Sequence, residues 1–349
     1  MPATAGLPPS FAFILHPRDE ADAFRARRFS LLRQISADDA DFLARVMTLE
    51  PTVVGEVTFG FSPFRGELMC IACWPEDVLT QRGRCEIERA VDASVERGNL
   101  VLGLGALTAP ATAGGARLVE RLPPGVTITN GNAYTAAVLV ENVLEAGERT
   151  ELSRPRVAVV GCTGSVGAAV SRLLAAQGLD LVLVGRTAAK ARRTLQDLEA
   201  VARFSGEPSD AGAADVVLLL TSAPSARLPE RSLREAAVVI DAAEPPNVRE
   251  EEVRAWRGRI AYARGGRALI PGHRCSYDFG LDRPEETFAC LAETYLFLRE
   301  GIRDHSVGSP STGDAERLGR VARRHGVSAA PLVFQNAGER RQREVVPPR

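Results

Sequence analysis

The sequence has almost no lysine. Lys190 is the only one, and every other basic residue is an arginine. Any reaction that needs a catalytic lysine therefore has a single candidate. Long apolar runs are also missing, because none approaches the ~20 residues of a membrane-spanning helix. The formal net charge of −1 gives no electrostatic reason to expect a nucleic acid or an anionic membrane as partner.

Histidine and cysteine are too few and too scattered for a metal site. The four histidines lie far apart, and Cys70-x-x-Cys73 has no second pair, so no zinc site is predicted. Six cysteines in 349 residues do not form a disulfide scaffold. The start of the chain has no basic segment before the short apolar stretch Phe11–Leu15, so no signal peptide is expected. We expect a cytoplasmic protein with free thiols.

The chain is long enough for about two domains of ~150 residues. Its first third mixes short strands with helices, and the polar stretch Glu148–Pro155 predicts a boundary. After it, apolar strands alternate regularly with helices, which is typical of a doubly wound parallel sheet. We predict an α/β protein with these parts: a substrate domain (1–147), a Rossmann domain that binds NADPH (148–283), C-terminal helices (284–335) and a disordered tail (336–349).

A glycine-rich turn follows the strand Arg156–Val160 and opens a helix. Glycines permit a tight turn and a close approach of the backbone to a pyrophosphate, which the N–H groups of the helix start then bind. In this strand–turn–helix context the pattern is a strong dinucleotide signature. The predicted contacts are Gly161, Thr163, Gly164, Ser165, Val166 and Gly167.

The end of the second strand favours NADPH over NADH. An NAD site usually has an acid there, whereas this chain has Gly185-Arg186-Thr187, with Lys190 one helical turn later. A guanidinium suits a 2′-phosphate. Thr221 and Ser222 follow a further strand and are candidate contacts to the ribose or phosphates, or caps of the next turn. Gly266 is a candidate neighbour of the nicotinamide, or a simple turn residue.

The position of the single lysine argues against two common dehydrogenase mechanisms. Short-chain dehydrogenases need a Tyr-x-x-x-Lys pair, and shikimate dehydrogenases need a lysine in the substrate domain, but Lys190 falls on the cofactor side. The chain therefore lacks the catalytic lysine that each of these mechanisms needs.

Cys290 stands out among the cysteines. The pattern from Asp282 to Glu285 resembles a capping box and predicts a helix that runs to about Glu300. Cys290 lies off the apolar stripe of that helix, as a nucleophile would, although free cysteines are commonly buried and inert. It is also predicted to lie too deep in the helix for the helix dipole to act on its thiol.

Several segments resemble the long-chain acyl-[acyl-carrier-protein] reductases, over about Phe11 to Val333. They are Phe11–His16, Gly105–Thr108, Gly131–Ala136, Val159–Gly167 and Phe288-Ala-Cys290-Leu-Ala-Glu293. The last is the most specific, because the acyl-accepting cysteine of that family has a similar context. Where the family usually has a histidine, this chain has Tyr134, and it also extends beyond the usual end.

The resemblance implies a two-step reaction. The Cys290 thiolate takes a fatty acyl group from acyl carrier protein, or from CoA, and NADPH then reduces the enzyme thioester to the aldehyde. His273, near a histidine of the family, is a candidate proton donor, although a hydrogen-bonded loop residue is the favoured interpretation. A downstream aldehyde-consuming enzyme is a further expected partner.

Two alternatives remain open. A glutamyl-tRNA-reductase-like enzyme would place its cysteine in the N-terminal part, where Cys70, Cys73 and Cys85 stand. A non-catalytic NADPH-binding scaffold is the second.

Overall fold

The computed structural model describes residues 8–335 except Phe61, Glu151, Ser153, 222–227, Pro229 and Arg257. It divides into two compact units, one of residues 1–139 and 266–330, the other of residues 140–265 and 331–349. The predicted tail from Asn336 and the predicted contact Ser222 lie outside the described residues. No helix in the described part of the chain is long and apolar enough to cross a membrane.

The first stretch of the chain forms five strands and seven helices. They are β1 (Ser10–Leu15), α1 (Glu20–Arg25), α2 (Ser30–Ile35), α3 (Asp39–Val46), β2 (Thr52–Phe59), β3 (Arg65–Cys70), α4 (Pro75–Val78), α5 (Gln81–Glu96), β4 (Val101–Leu104), α6 (Thr108–Ala111), β5 (Thr127–Thr129) and α7 (Asn132–Arg149). Short 3-10 helices occupy Arg27–Phe29 and Ala116–Arg121.

The middle stretch contains the regular alternation of strands and helices. Its elements are β6 (Arg156–Val160), α8 (Ser165–Ala176), β7 (Asp180–Val184), α9 (Ala188–Thr194), β8 (Ala202–Ser205), β9 (Val216–Leu219), β10 (Val238–Asp241), α10 (Glu250–Ala255) and β11 (Ala261–Arg264), with 3-10 helices at Gln196–Leu198, Pro208–Ala213 and Glu230–Ser232.

The last stretch is mixed. Its elements are β12 (Arg267–Leu269), β13 (His273–Cys275), β14 (Glu286–Phe288), α11 (Ala289–Glu300), α12 (Thr312–Arg324), β15 (Ser328–Ala329) and β16 (Phe334–Gln335).

The second unit has the strand order of a Rossmann fold. Its sheet runs β16-β11-β10-β9-β6-β7-β8, and the strands β6 to β11 are all parallel. The order reverses between β6 and β9, which makes that position the topological switch point where such sheets bind ligands. The prediction of an α/β fold with a doubly wound parallel sheet is confirmed.

The first unit is built on its own six-stranded sheet, in the order β13-β2-β3-β1-β4-β5. The strands β3, β1, β4 and β5 are parallel, and β2 is antiparallel to β3. Alternate residues of β1 point to opposite faces, so Phe11 and Phe13 join a core cluster that includes α11, while Ala12 and Ile14 join one that includes α5. A three-stranded sheet, β14-β12-β15, completes this unit.

The division into units differs from the predicted domains. Helix α7 continues to Arg149, past the predicted end of the substrate domain at residue 147, and the change of unit falls within the helix, at Leu139/Val140. Residues from Gly266 onward return to the first unit, because β13 pairs with β2. The predicted Rossmann domain therefore extends too far, since a pairing between strands so distant in sequence leaves no local signal.

Candidate functional site

The glycine-rich turn lies where a dinucleotide would bind, at the carboxyl end of β6. Gly161 has φ +97°, and a Cβ there would lie 2.9 Å from the carbonyl carbon of Leu220. A Cβ on Gly167 would lie 2.3 Å from the Gly161 carbonyl oxygen. Gly164 is the N-cap of α8 and supplies no side chain, so the helix start presents only backbone N–H groups. This geometry suits a pyrophosphate.

The other predicted cofactor contacts of this unit also lie at carboxyl ends of strands. Arg186 and Lys190 are exposed just beyond β7. Thr221 follows β9, and its carbonyl accepts a 2.8 Å hydrogen bond from Asn247 Nδ2. Thr163 is half-buried beside Gly185. These residues fit a dinucleotide because positive side chains and the backbone N–H groups of a helix start lie at the same edge of one sheet.

Gly266 lies in the other unit. Its carbonyl accepts a 2.9 Å hydrogen bond from Ala289 N, the first N–H of α11. The residue after Ala289 is Cys290, so Gly266 stands beside the candidate nucleophile.

Cys290 is the second residue of α11, and this corrects the sequence analysis. Residues 286–288 form β14 and pair with β12, so the helix begins only at Ala289. The predicted capping box at Asp282–Glu285 does not start it. Within the described part of the chain no side chain caps this helix start. The dipole of the first turn therefore acts directly on Cys290, contrary to the prediction that it lies too deep.

The off-stripe argument for Cys290 does not hold either. Helix α11 is buried on nearly all sides, including at Thr294 and Phe297, which lie four and seven positions after Cys290 and therefore share its side of the helix. Cys290 is partly exposed because it lies at the end of this helix.

Helix α11 lies on the sheet of the first unit with its N-terminus at the carboxyl edge of the parallel strands. Cys290 contacts Gly131, just beyond β5, and Thr294 contacts Gly103 of β4. Farther along, the Arg303 carbonyl accepts from Thr127 Oγ1 at the start of β5. Cys290 thus lies at the edge where α/β sheets commonly bind ligands.

A buried carboxylate, Glu293, lies one turn after Cys290 and is fully shielded from solvent. Its Oε1 accepts hydrogen bonds from the hydroxyls of Thr129 and Ser306 (3.2 Å for Ser306), and its Oε2 accepts from Tyr134 N at 2.6 Å. Burial raises the pKa of Glu293, and these hydrogen bonds oppose the rise. No role was predicted for Glu293 from the sequence, although its position three residues after the cysteine was visible there.

His273 is buried in β13 rather than in a loop. Its Nδ1 lies 3.4 Å from the Pro284 carbonyl, and its Nε2 has no hydrogen-bond partner among the described residues. Its ring packs on Phe59, with centroids 5.8 Å apart. Burial lowers the pKa of His273, so the imidazole is neutral at neutral pH.

Comparison with known proteins agrees with a nucleotide-binding unit. Residues 142–262 match the family described as shikimate / quinate 5-dehydrogenase. The chain is 26% identical over 267 residues to Aminotransferase PigE of a Serratia strain, over 73% of this chain and 31% of that protein. It is 30% identical over 229 residues to the long-chain acyl-[acyl-carrier-protein] reductase of Synechococcus elongatus, over 59% of this chain and 63% of that protein.

Among solved structures, the shikimate 5-dehydrogenase of Thermus thermophilus in complex with NADP(H) and shikimate is similar over 91% of this chain and 99% of its own, at 15% identity and a TM-score of 0.38. The chain spans about a third of the Serratia protein and 63% of the Synechococcus one. The family match and the glycine-rich turn support an oxidoreductase of the dehydrogenase or reductase type with a nicotinamide cofactor.

Proposed function

We propose that this protein reduces a fatty acyl thioester, carried by acyl carrier protein or CoA, to the fatty aldehyde with NADPH. The observation that carries the proposal is the position of Cys290, partly exposed on the carboxyl edge of a parallel sheet, in the first turn of a helix that no described side chain caps. The 30% identity to an acyl-[acyl-carrier-protein] reductase supports it.

The helix start suits the first step. A helix N-terminus stabilises a thiolate, and backbone N–H groups that point at the reacting carbonyl stabilise the oxyanion of a tetrahedral intermediate. Cys290 Sγ attacks the thioester carbon, the bond from that carbon to the carrier sulfur breaks, and the carrier leaves as a thiol after taking up a proton. The acyl group then remains on Cys290 as a new thioester.

The second step needs a bound cofactor. Gly161–Gly167 would hold its pyrophosphate, and Arg186 with Lys190 would hold its 2′-phosphate. NADPH, when bound, supplies the hydride that reduces the thioester. The bond from Cys290 Sγ to the acyl carbon breaks as the aldehyde forms, and a proton restores the thiol. The aldehyde is reactive, so an aldehyde-consuming enzyme is a fitting downstream partner.

The rival cysteines are poorly placed for this chemistry. Cys70 and Cys73 are buried, and burial raises the pKa of Cys70 to about 12 and also raises that of Cys73. Cys85 is exposed in the first half of α5, away from the start of that helix. None of them combines exposure with a helix start, so we favour Cys290 over a glutamyl-tRNA-reductase-like arrangement.

We leave His273 outside the proposed reaction. Its imidazole is neutral, buried and packed on Phe59, which suits a core residue better than a proton donor. The sequence offered both interpretations.

Adduct mapping tests the proposal. The protein is incubated with acyl-acyl carrier protein or acyl-CoA without NADPH, and the acylated peptide is identified by mass spectrometry. We expect the acyl group on Cys290, its loss in Cys290→Ala, and its retention in the control Cys85→Ala. After NADPH is added, aldehyde should appear.

An adduct on Cys70, Cys73 or Cys85 would favour the glutamyl-tRNA-reductase-like alternative. No adduct at all would favour an NADPH-binding scaffold. Aldehyde formation that survives Cys290→Ala would contradict the proposal.

A further inference from the structure

The N-termini of two helices, α11 and α7, lie beside Cys290, and their first turns differ in the side chains that bind them. Helix α11 begins at Ala289, and no side chain among the described residues caps it. Helix α7 begins at Asn132, and Gly131 just before it is in contact with Cys290. Each start is a region of positive potential that attracts an anion.

The start of α7 already has an acceptor, the side chain of Glu293. Tyr134 N, in its first turn, donates to Glu293 Oε2 at 2.6 Å, and Asn132 N donates to Asn130 Oδ1 at 3.0 Å. The Glu293 carboxylate comes from the neighbouring helix α11, so it joins the two helices. An acid at this position stabilises a helix in the same way as an N-terminal cap within the helix itself.

Glu293 also holds the turn that leads into α7. The hydroxyl of Thr129 donates to Glu293 Oε1 and accepts a 3.2 Å hydrogen bond from Gly131 N. Ser306, from the segment after α11, donates to the same oxygen at 3.2 Å. Three separate parts of the first unit thus converge on one carboxylate.

The turn at Gly131 packs directly against Cys290. A Cβ on Gly131 would be 2.2 Å from Cys290 Cβ and 2.5 Å from Cys290 Cα, so the two backbones pack too closely to leave room for a side chain at position 131. A displacement of the turn would therefore change the space around Cys290.

We propose that Glu293 is a positioning residue: by binding the start of α7 it holds the Gly131 turn against Cys290 and so fixes the space in which the acyl-transfer intermediate forms. This inference rests on the proposed role of Cys290. Glu293 itself touches neither substrate nor cofactor in this account. It acts through Thr129, Gly131 and Tyr134.

The test compares wild type, Glu293→Gln and the control Glu300→Gln, which changes an acid at the far end of the same helix. Glutamine has about the same size as glutamate but only one acceptor oxygen in its side chain. The donors Thr129, Ser306 and Tyr134 use both oxygens of the glutamate. We measure hydrogen exchange of the 129–134 amides and single-turnover acylation of Cys290 by acyl-CoA, with kcat and KM for the full reaction.

In Glu293→Gln we expect faster exchange at 129–134, and acylation and kcat lowered by about tenfold or more, as for a small misplacement of a reacting group, with KM within about twofold. Iodoacetamide labelling of Cys290 per folded molecule should change by less than about threefold, because a small reagent does not need the precise placement. Glu300→Gln should match wild type in all of these.

Acylation of Glu293→Gln within about twofold of wild type, or unchanged exchange at 129–134, would overturn the inference. If Glu293→Gln does not fold, Thr129→Val and Ser306→Ala decide: each removes one hydroxyl donor and keeps the carboxylate, and wild-type acylation in both would overturn the inference. Failure of wild type to become acylated at Cys290 would instead overturn the proposed function, so the two failures are distinguishable.

Discussion

Gly131 and Cys290 are in direct backbone contact: a Cβ built on the glycine would lie 2.2 Å from the Cβ of the cysteine. The two residues lie 159 positions apart in sequence, one at the start of α7 and the other at the start of α11. Their contact places the candidate nucleophile at the carboxyl edge of the first sheet.

The first prediction concerns Gly131→Ala. Its φ of +73° disfavours any side chain, and the added methyl group would collide with Cys290. We expect a loss of about 1–3 kcal/mol of stability and acylation of Cys290 lowered by about tenfold or more. Urea unfolding and single-turnover acylation measure the two effects.

Gly98→Ala is the matched control. Gly98 has φ +83°, but a Cβ there meets nothing within 4 Å, so only the backbone strain is added. It should lose stability and keep the acylation rate of wild type. Equal acylation in both variants would show that the contact with Cys290 does not matter for catalysis.

The second prediction concerns thiol reactivity. Cys85 and Cys290 are at least partly exposed, whereas Cys70 and Cys162 are buried, and burial raises the pKa of each buried thiol to about 12. Native protein should therefore be alkylated at Cys85 and Cys290, and Cys70 and Cys162 should react only after unfolding.

The helix start should favour the thiolate of Cys290 over that of Cys85. The ratio of Cys290 to Cys85 labelling should rise as the pH falls from about 8.5 to about 6, since a stabilised thiolate persists at lower pH. Peptide mass spectrometry measures both sites in one sample. A ratio that is constant or falls with decreasing pH would show that the helix start has no such effect.

The third prediction concerns cofactor choice. Arg186→Glu places an acid where the 2′-phosphate of NADPH is proposed to lie, so KM for NADPH should rise by about tenfold or more and KM for NADH should change little. Arg193→Glu, an exposed residue on α9, is the control and should behave as wild type. Equal losses with both cofactors would contradict the 2′-phosphate assignment.

The fourth prediction concerns pH and stability. Burial lowers the pKa of His16 and His273 in the folded protein below the ordinary value of 6.5. Between the lowered value and 6.5, the unfolded chain binds more protons, so the free energy of unfolding should fall as the pH drops below about 6.5. Urea unfolding between about pH 7 and pH 5 measures this slope.

His273→Gln should flatten that slope because it removes one of the two groups. Burial raises the pKa of Asp241 and Glu293, which act with the opposite sign at acidic pH, so the difference between wild type and His273→Gln is the quantity to compare. The same slope in both proteins would show that His273 is not buried in its neutral form. Retained activity in His273→Gln would agree with its exclusion from the proposed reaction.

Local patterns in the sequence were sufficient to predict the strands, the glycine-rich turn and the helix of the nucleotide-binding unit. The strands β6 and β7, the turn at Gly161–Gly167 and helix α8 follow one another directly, so their signals lie within one short window. The α/β class follows from the same alternation. The proposed role of Arg186 depends on the same kind of local signal, its place directly after β7.

The surroundings of Cys290 could not be found in this way. The start of α11 depends on β14, which is a strand because it pairs with β12 about 20 residues earlier. Without that pairing, the pattern at Asp282–Glu285 indicates a helix cap, and Cys290 is then placed more than one turn deeper in the helix than it lies. The domain boundary was misplaced for a related reason, since β13 returns to pair with β2.

The sequence by itself therefore determined the fold class, the glycine-rich turn and which cysteine is the candidate nucleophile. Only the tertiary structure decided that Cys290 begins a helix, that Gly131 lies against it and that Glu293 binds the neighbouring helix start. The reason is physical: helix propensity and turn chemistry act between near neighbours, whereas strand pairing and the burial of a carboxylate join residues that are far apart along the chain.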